Sequence, residues 1–221
     1  AEGYPNYEER GTHFWTNAVR VDPEAFNADY ESAGCTFEDF EASEQTPKQL
    51  LYFDRNLNIA GRYHSQDMFD NNWFEHESSD GTSFFDRVAL FYTESGYVGE
   101  NIAMGYSSPY SVVMHGWMCS SGHRANIMLG DYNELGTGVV SAYYTQDFAA
   151  GTPDSEGPVA MGTHEDVGAL DDTLRDRVRE RRAHLALSPL VAVDVRRVDH
   201  PVAGVQRRQH GLLGMAGSQL V

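Results

Sequence analysis

The first regular apolar pattern runs from Tyr7 to Val21, where Phe14, Ala18 and Val19 fall at helical spacing behind Glu8 and Glu9. Acidic residues in a first turn suit the positive end of a helix dipole, so a helix is predicted there. Asp22-Pro23 then supplies a capping residue followed by the one best tolerated at a first helical position. A short helix is expected from Glu24 to Tyr30. The stretch from Glu31 to Lys48 is acidic and aperiodic and reads as a loop. Asp54 reads as the N-cap of a long helix through Asn71, with Leu57, Ala60, Gly61, His64 and Met68 on its inward face.

Asp80-Gly81 marks a turn, and Phe84 to Phe91 makes a short helical pattern around Val88. Gly99 to Gly105 reads as a strand that buries Ile102. Ser108-Pro109 repeats the cap-then-proline signature and opens a helix through Cys119 that buries Val112, Val113, Gly116 and Trp117. Between Leu135 and Phe148, glycine-flanked Val139-Val140 and Tyr143-Tyr144 predict the two strands of a hairpin. Helices, strand, helix and hairpin in that order predict an α+β fold rather than the alternation of a parallel α/β sheet.

Composition adds three constraints. With 41% hydrophobic and 12% aromatic residues, the 221-residue chain can pack a core without a metal, and its length suits one main domain with an appendage. Residues 168–221 hold nine of the sixteen basic residues against six acids, leaving seven bases and twenty-seven acids in residues 1–167. Such a field repels phosphate backbones, which argues against nucleic acid as a partner. No run of eighteen apolar residues is present, so a membrane span is not expected.

The expected organisation is therefore a domain over 1–167 and an Arg-rich tail over 168–221. That tail contains no aromatic residue and reads either as weakly ordered or as a shifted reading frame. A chain beginning at Ala1 fits either a processed protein whose signal peptide is gone or a segment with an arbitrary boundary. Cys35 and Cys119 are the only cysteines, and count alone leaves a disulfide and two buried thiols both open, with the disulfide expected for an exported protein.

Three segments combine ionisable side chains with glycine turns or aromatic anchors: residues 60–76, 99–103 and 117–124. Two histidines and a carboxylate brought together could hold zinc or a similar ion with positions open for water, or do acid/base work without metal. The plain alternatives are a hydrogen-bonding structural histidine at His64, a surface histidine at His76, a structural carboxylate at Glu100, and a histidine just past a helix C-cap glycine at His123. Cys119, four residues before His123, is a further thiolate candidate.

The motifs His64-Ser65-Gln66-Asp67-Met68, Phe74-Glu75-His76, Gly99-Glu100-Asn101-Ile102-Ala103, Trp117-Met118 with Gly122-His123-Arg124, and Tyr143-Tyr144-Thr145-Gln146 with Phe148 occur in one order. This order resembles the bacterial-type branch of the CAP superfamily, relatives of cysteine-rich secretory, antigen-five and pathogenesis-related proteins. The resemblance spans about Tyr7 to His164 and implies an α-β-α sandwich with a central cleft on a secreted protein. It implies His76 and His123 as ligands of a divalent metal, zinc by preference, and Glu100 as the cleft glutamate. The family's second glutamate falls on Ser120.

His64, Asn101 and Ser120 are expected to orient these groups. A monomeric extracellular binding module for a small hydrophobic ligand or a protein partner is the expected function. The alternative is a metal-dependent hydrolase in which Glu100 relays a proton from zinc-bound water.

Overall fold

Gly136 and Gly138 decide how the layers meet. A Cβ at either position would collide with backbone of the long helix, at Leu57 for Gly136 and at Gly61 for Gly138. Two glycines spaced two apart on one strand face remove that obstacle, because alternate residues of a strand point the same way. In the computed structural model, which describes residues 4–94 and 96–153, that helix (α3, Arg55–Asn71) therefore lies directly on the sheet. Asp54 caps it by accepting from the Leu57 N–H, and Leu57, Ala60, Gly61, His64 and Met68 are all buried, as the sequence predicts.

The other elements are α1 (Tyr7–Val21), a 3₁₀ turn (Glu24–Phe26), α2 (Asn27–Ala33), a 3₁₀ turn (Phe37–Asp39), β1 (Tyr52–Phe53), α4 (Phe84–Ala89), β2 (Val98–Met104), α5 (Pro109–Ser111), α6 (Ser121–Ile127), β3 (Glu134–Val140) and β4 (Tyr143–Ala149). The strands form one sheet in the order β1-β3-β4-β2, parallel only between β1 and β3. β2 is thus an edge strand.

Strand alternation divides the core. Val139, Tyr144 and Phe148 face a layer of α1, α2, α5 and α6, packed with Trp15, Phe26, Tyr30, Met114 and Trp117. Thr137 faces the same way and donates to the Glu9 carbonyl in α1. On the opposite face, Leu57, Ala60, Val88, Tyr92 and Ala149 form a second cluster under α3 and α4. This is the expected α+β architecture, an α-β-α sandwich.

Four local expectations need correction. The short helix after Pro23 begins as a 3₁₀ turn and continues to Ala33, where Gly34 ends it in the left-handed region at φ 90°. The loop expected from Glu31 is accordingly shorter. The helix expected from Ser108 to Cys119 is α-helical only over Pro109–Ser111 and then widens, with the Met118 N–H bonded to the Val113 carbonyl five residues back. Gly116 is half-buried there, because the Tyr106 ring covers it. Gly122 does not terminate a helix: it lies inside α6, and so does His123.

Cys35 and Cys119 form a disulfide that joins the segment after α2 to the end of that wide turn. This removes Cys119 as a thiolate ligand. Arg20, buried in α1, donates to the carbonyls of Gln49, Ile127 and Leu129, and so ties the end of α6 to the same layer. No helix among the described residues is long and apolar enough to cross a membrane. The tail from 168 to 221 lies outside the described residues.

Candidate functional site

Glu100 and Asn101 are neighbours on the edge strand β2, so their side chains leave the sheet on opposite faces. Glu100 pairs in register with Asp147 on β4, and the Asp147 carboxylate lies against Gly61 of α3. Glu100 therefore sits on the α3 face. Asn101 sits on the α6 face, where its side-chain amide donates to the His123 carbonyl at 3.1 Å. The site straddles the free edge of the sheet.

On the α3 face, His76 Nδ1 lies 2.8 Å from Glu100 Oε1. A carboxylate only accepts, so the imidazole donates through Nδ1 and its Nε2 is left for another partner. The side chain of His76 is 42% exposed. His64 is fully buried; its Nε2 is 3.0 Å from the Glu75 carbonyl and 3.9 Å from Glu100 Oε1. It braces the residue preceding His76, as expected of a supporting group. Burial is the main reason its pKa is lowered, with the Glu100 charge opposing.

Arg87 was not legible as a site residue. Its buried guanidinium donates to Glu100, to the His76 carbonyl at 2.8 Å and to Ser78 Oγ at 3.2 Å. Burial alone would raise the pKa of Glu100; Arg87, the His76 hydrogen bond and His64 together hold it below the ordinary value. The available signal was that Arg87 is the only Lys or Arg between Arg62 and Arg124, set between Asp86 and Val88 in a short, largely apolar helical pattern.

On the α6 face, His123 stands in the first turns of α6 with Nδ1 buried and without a hydrogen-bond partner. Burial first, and then the proximity of His76, push its pKa down to about 4, so the ring is a neutral imidazole at neutral pH. A polar network backs it. Asn101 also donates to Gln146 Oε1 at 3.1 Å, Asn126 donates to Asn101 Oδ1 at 2.9 Å, and Gln146 donates to Thr16 Oγ1 at 2.5 Å. Arg124 anchors the helix by donating to Glu44 at 2.7 Å and stacking 4.1 Å from the centroid of the Phe40 ring. Ser120 is the residue before the helix, and its hydroxyl makes no capping bond.

The donor set bears on a metal in a specific way. His76 Nε2 and the neutral His123 ring, whose buried Nδ1 has no hydrogen-bond partner, are nitrogens of a suitable type, and the Glu100–His76 hydrogen bond is the arrangement in which a carboxylate orients a ligating histidine. Glu100 itself is occupied by Arg87 and His76. Among the described residues, no three His, Cys, Asp or Glu side chains converge as a metal-binding group. The described residues do not bring together the three protein ligands usual in catalytic zinc sites, and the donors left to a metal by type are the two imidazoles.

Residues 14–151, more than half of the chain, match the CAP cysteine-rich secretory protein family. The chain belongs to that family. Over 135 residues it is 36% identical to YkwD of Bacillus subtilis, which covers 60% of this chain and 51% of that protein. Over 85 residues it is 42% identical to the membrane protein YlbC of the same organism, covering 38% of this chain and 24% of the relative. The CAP domain here thus spans about half or less of these relatives.

Among solved structures it is similar to an extracellular SCP-domain protein of Bacillus anthracis, with 35% identity, a TM-score of 0.44, and coverage of 46% of this chain and 34% of that one. An outer surface protein of Borrelia burgdorferi is also similar, at 15% identity and a TM-score of 0.45, covering 61% and 96% respectively.

Proposed function

We propose that this CAP domain is an extracellular binding module whose cleft takes a divalent cation, zinc by preference, between His76 and His123, with a small hydrophobic ligand or a protein partner beside it. The observation that carries this reading is the engagement of Glu100. A general base needs a free lone pair and a pKa near the working pH. Glu100 gives its carboxylate to Arg87 and His76 and is held below its ordinary value. The second acid that hydrolysis would call on is Ser120 in this chain. Binding therefore fits the side chains better than a hydrolase with Glu100 as proton relay.

Two further features support the reading. Trp73, three residues before His76, is 37% exposed and braced by its indole N–H on the Glu77 carbonyl at 2.7 Å, so it offers a fixed apolar face in the same loop. The disulfide suits an oxidising compartment outside the cytoplasm.

Calorimetric titration of dialysed protein with zinc tests the proposal. Uptake of one ion is expected, lost in His76→Ala and in His123→Ala. Absence of uptake by the unmodified protein overturns the metal reading. Turnover of a peptide and ester panel above a His76→Ala control would replace binding with hydrolysis.

A further inference from the structure

Asp147 is a buried acid that the cleft as described leaves unexplained. Its side chain is wholly inside the protein, between β4 and α3, and it faces Glu100 across the strand pair. Gly61 Cα gives it room: a Cβ there would lie 3.3 Å from Asp147 Oδ2. Neither oxygen has a donor when both acids are ionised. The nearby cation, Arg87, gives its two terminal nitrogens to Glu100, the His76 carbonyl and Ser78, and its buried Nε donates to neither Asp147 oxygen. Two buried carboxylates side by side do not both ionise; one keeps a proton and can donate it to the other.

We propose that Asp147 is a positioning residue of the cleft, whose carboxyl O–H donates a hydrogen bond to Glu100 and so fixes the carboxylate that orients His76. Of the two acids, Asp147 is the one that keeps the proton. Glu100 already accepts from Arg87 and His76, donors that favour an ionised acceptor, whereas neither Asp147 oxygen accepts from any donor; burial and then the Glu100 charge push the Asp147 carboxyl well above the usual range, with Arg87 opposing. Gly61 on α3 and Gly136, its register partner on β3, bring no charge, and the titratable group that α3 adds is His64, 3.9 Å from Glu100 Oε1, whose pKa burial lowers. The chain of contacts runs from Asp147 through Glu100 to His76 Nδ1. It deepens the binding reading of the same cleft, and rests on it only for what the cleft holds.

The test is spectroscopic. Metal-free protein at neutral pH is expected to show one buried protonated carboxyl by carbon-13 NMR of labelled aspartate, absent in Asp147→Asn. The Nδ1–H resonance of His76, protected by its bond to Glu100, is expected to persist in Asp147→Asn, whose amide can still donate, and to broaden or vanish in Asp147→Ala. An ionised Asp147 in the unmodified protein overturns the proposal, and so does an unchanged His76 signal in folded Asp147→Ala. If Asp147→Ala does not fold, the carboxyl signal and the Asn variant still decide. Zinc titration of the same samples separates the two readings: failure of the unmodified protein to bind zinc, with these signals as expected, overturns the metal reading alone.

Discussion

His76 and Glu100, twenty-four residues apart, are joined by a 2.8 Å hydrogen bond from the imidazole Nδ1–H to a carboxylate oxygen. The bond holds a half-exposed ring against a buried acid and leaves Nε2 as the ring nitrogen that Glu100 does not engage. Arg87 completes the arrangement by binding both the acid and the backbone of the histidine.

Replacing Glu100 by Gln should therefore cost stability as well as orientation. It leaves the buried Arg87 guanidinium without its counter-charge, and breaking one side of such a pair costs about 3–5 kcal/mol. Because the folded-state pKa of Glu100 is depressed, its contribution is present above the unfolded value of 4.5 and is lost as pH falls through the folded value. Urea denaturation should show a large deficit for Glu100→Gln at pH 7 that shrinks below about pH 4.5. A deficit independent of pH would contradict the ion-pair account.

His13 makes a different pH prediction. It is buried in α1, with Nε2 3.0 Å from the Leu51 carbonyl, and burial pushes its pKa down to about 4. The unfolded chain binds a proton at its ordinary value of 6.5, so stability falls as pH drops from 6.5 to about 4. At about 1.4 kcal/mol per pKa unit, this histidine alone contributes a loss of about 3 kcal/mol across that window. His13→Gln, which keeps a donor for Leu51, should flatten the same part of the stability profile in thermal melts between pH 7 and 4.

Gly138→Ala should destabilise the sandwich by more than about 2 kcal/mol, since the added methyl meets the Gly61 backbone and not a side chain that can turn away. Chemical denaturation reads this directly. Gly34→Val, beside which nothing lies within 4 Å, tests a positive-φ position instead and should lose stability through backbone strain alone.

The glycines also show what was legible in the sequence. Their spacing on the hairpin was visible, but its purpose became clear only when α3 was placed on β3. The cap at Asp54 and the inward face of α3 could be read from local signals, because capping and helical periodicity are properties of short windows. The same holds for β2, whose Glu100 and Asn101 were singled out by their motif. His123 was misplaced relative to its helix because Gly122, a common terminator, is here an interior residue of α6.

Arg87 and Asp147 were missed for a shared reason. Their roles come from side-chain contacts between different elements, and β4 is buried on both faces, so alternation carries no sign that Asp147 points toward Glu100.

Asp147→Asn should raise stability at neutral pH, an unusual outcome for a buried substitution beside a functional cleft. The pKa of Asp147 is raised in the fold, so its contribution is fully present below the unfolded value of 3.8 and is lost as pH rises through the folded value. Asparagine does not ionise in either state and avoids that loss while keeping a donor toward Glu100. Urea midpoints of the two proteins should converge near pH 3.8 and separate as pH rises, with the variant the more stable. A variant less stable than the parent at every pH would show that the second oxygen of Asp147, and not its proton, is what the site requires.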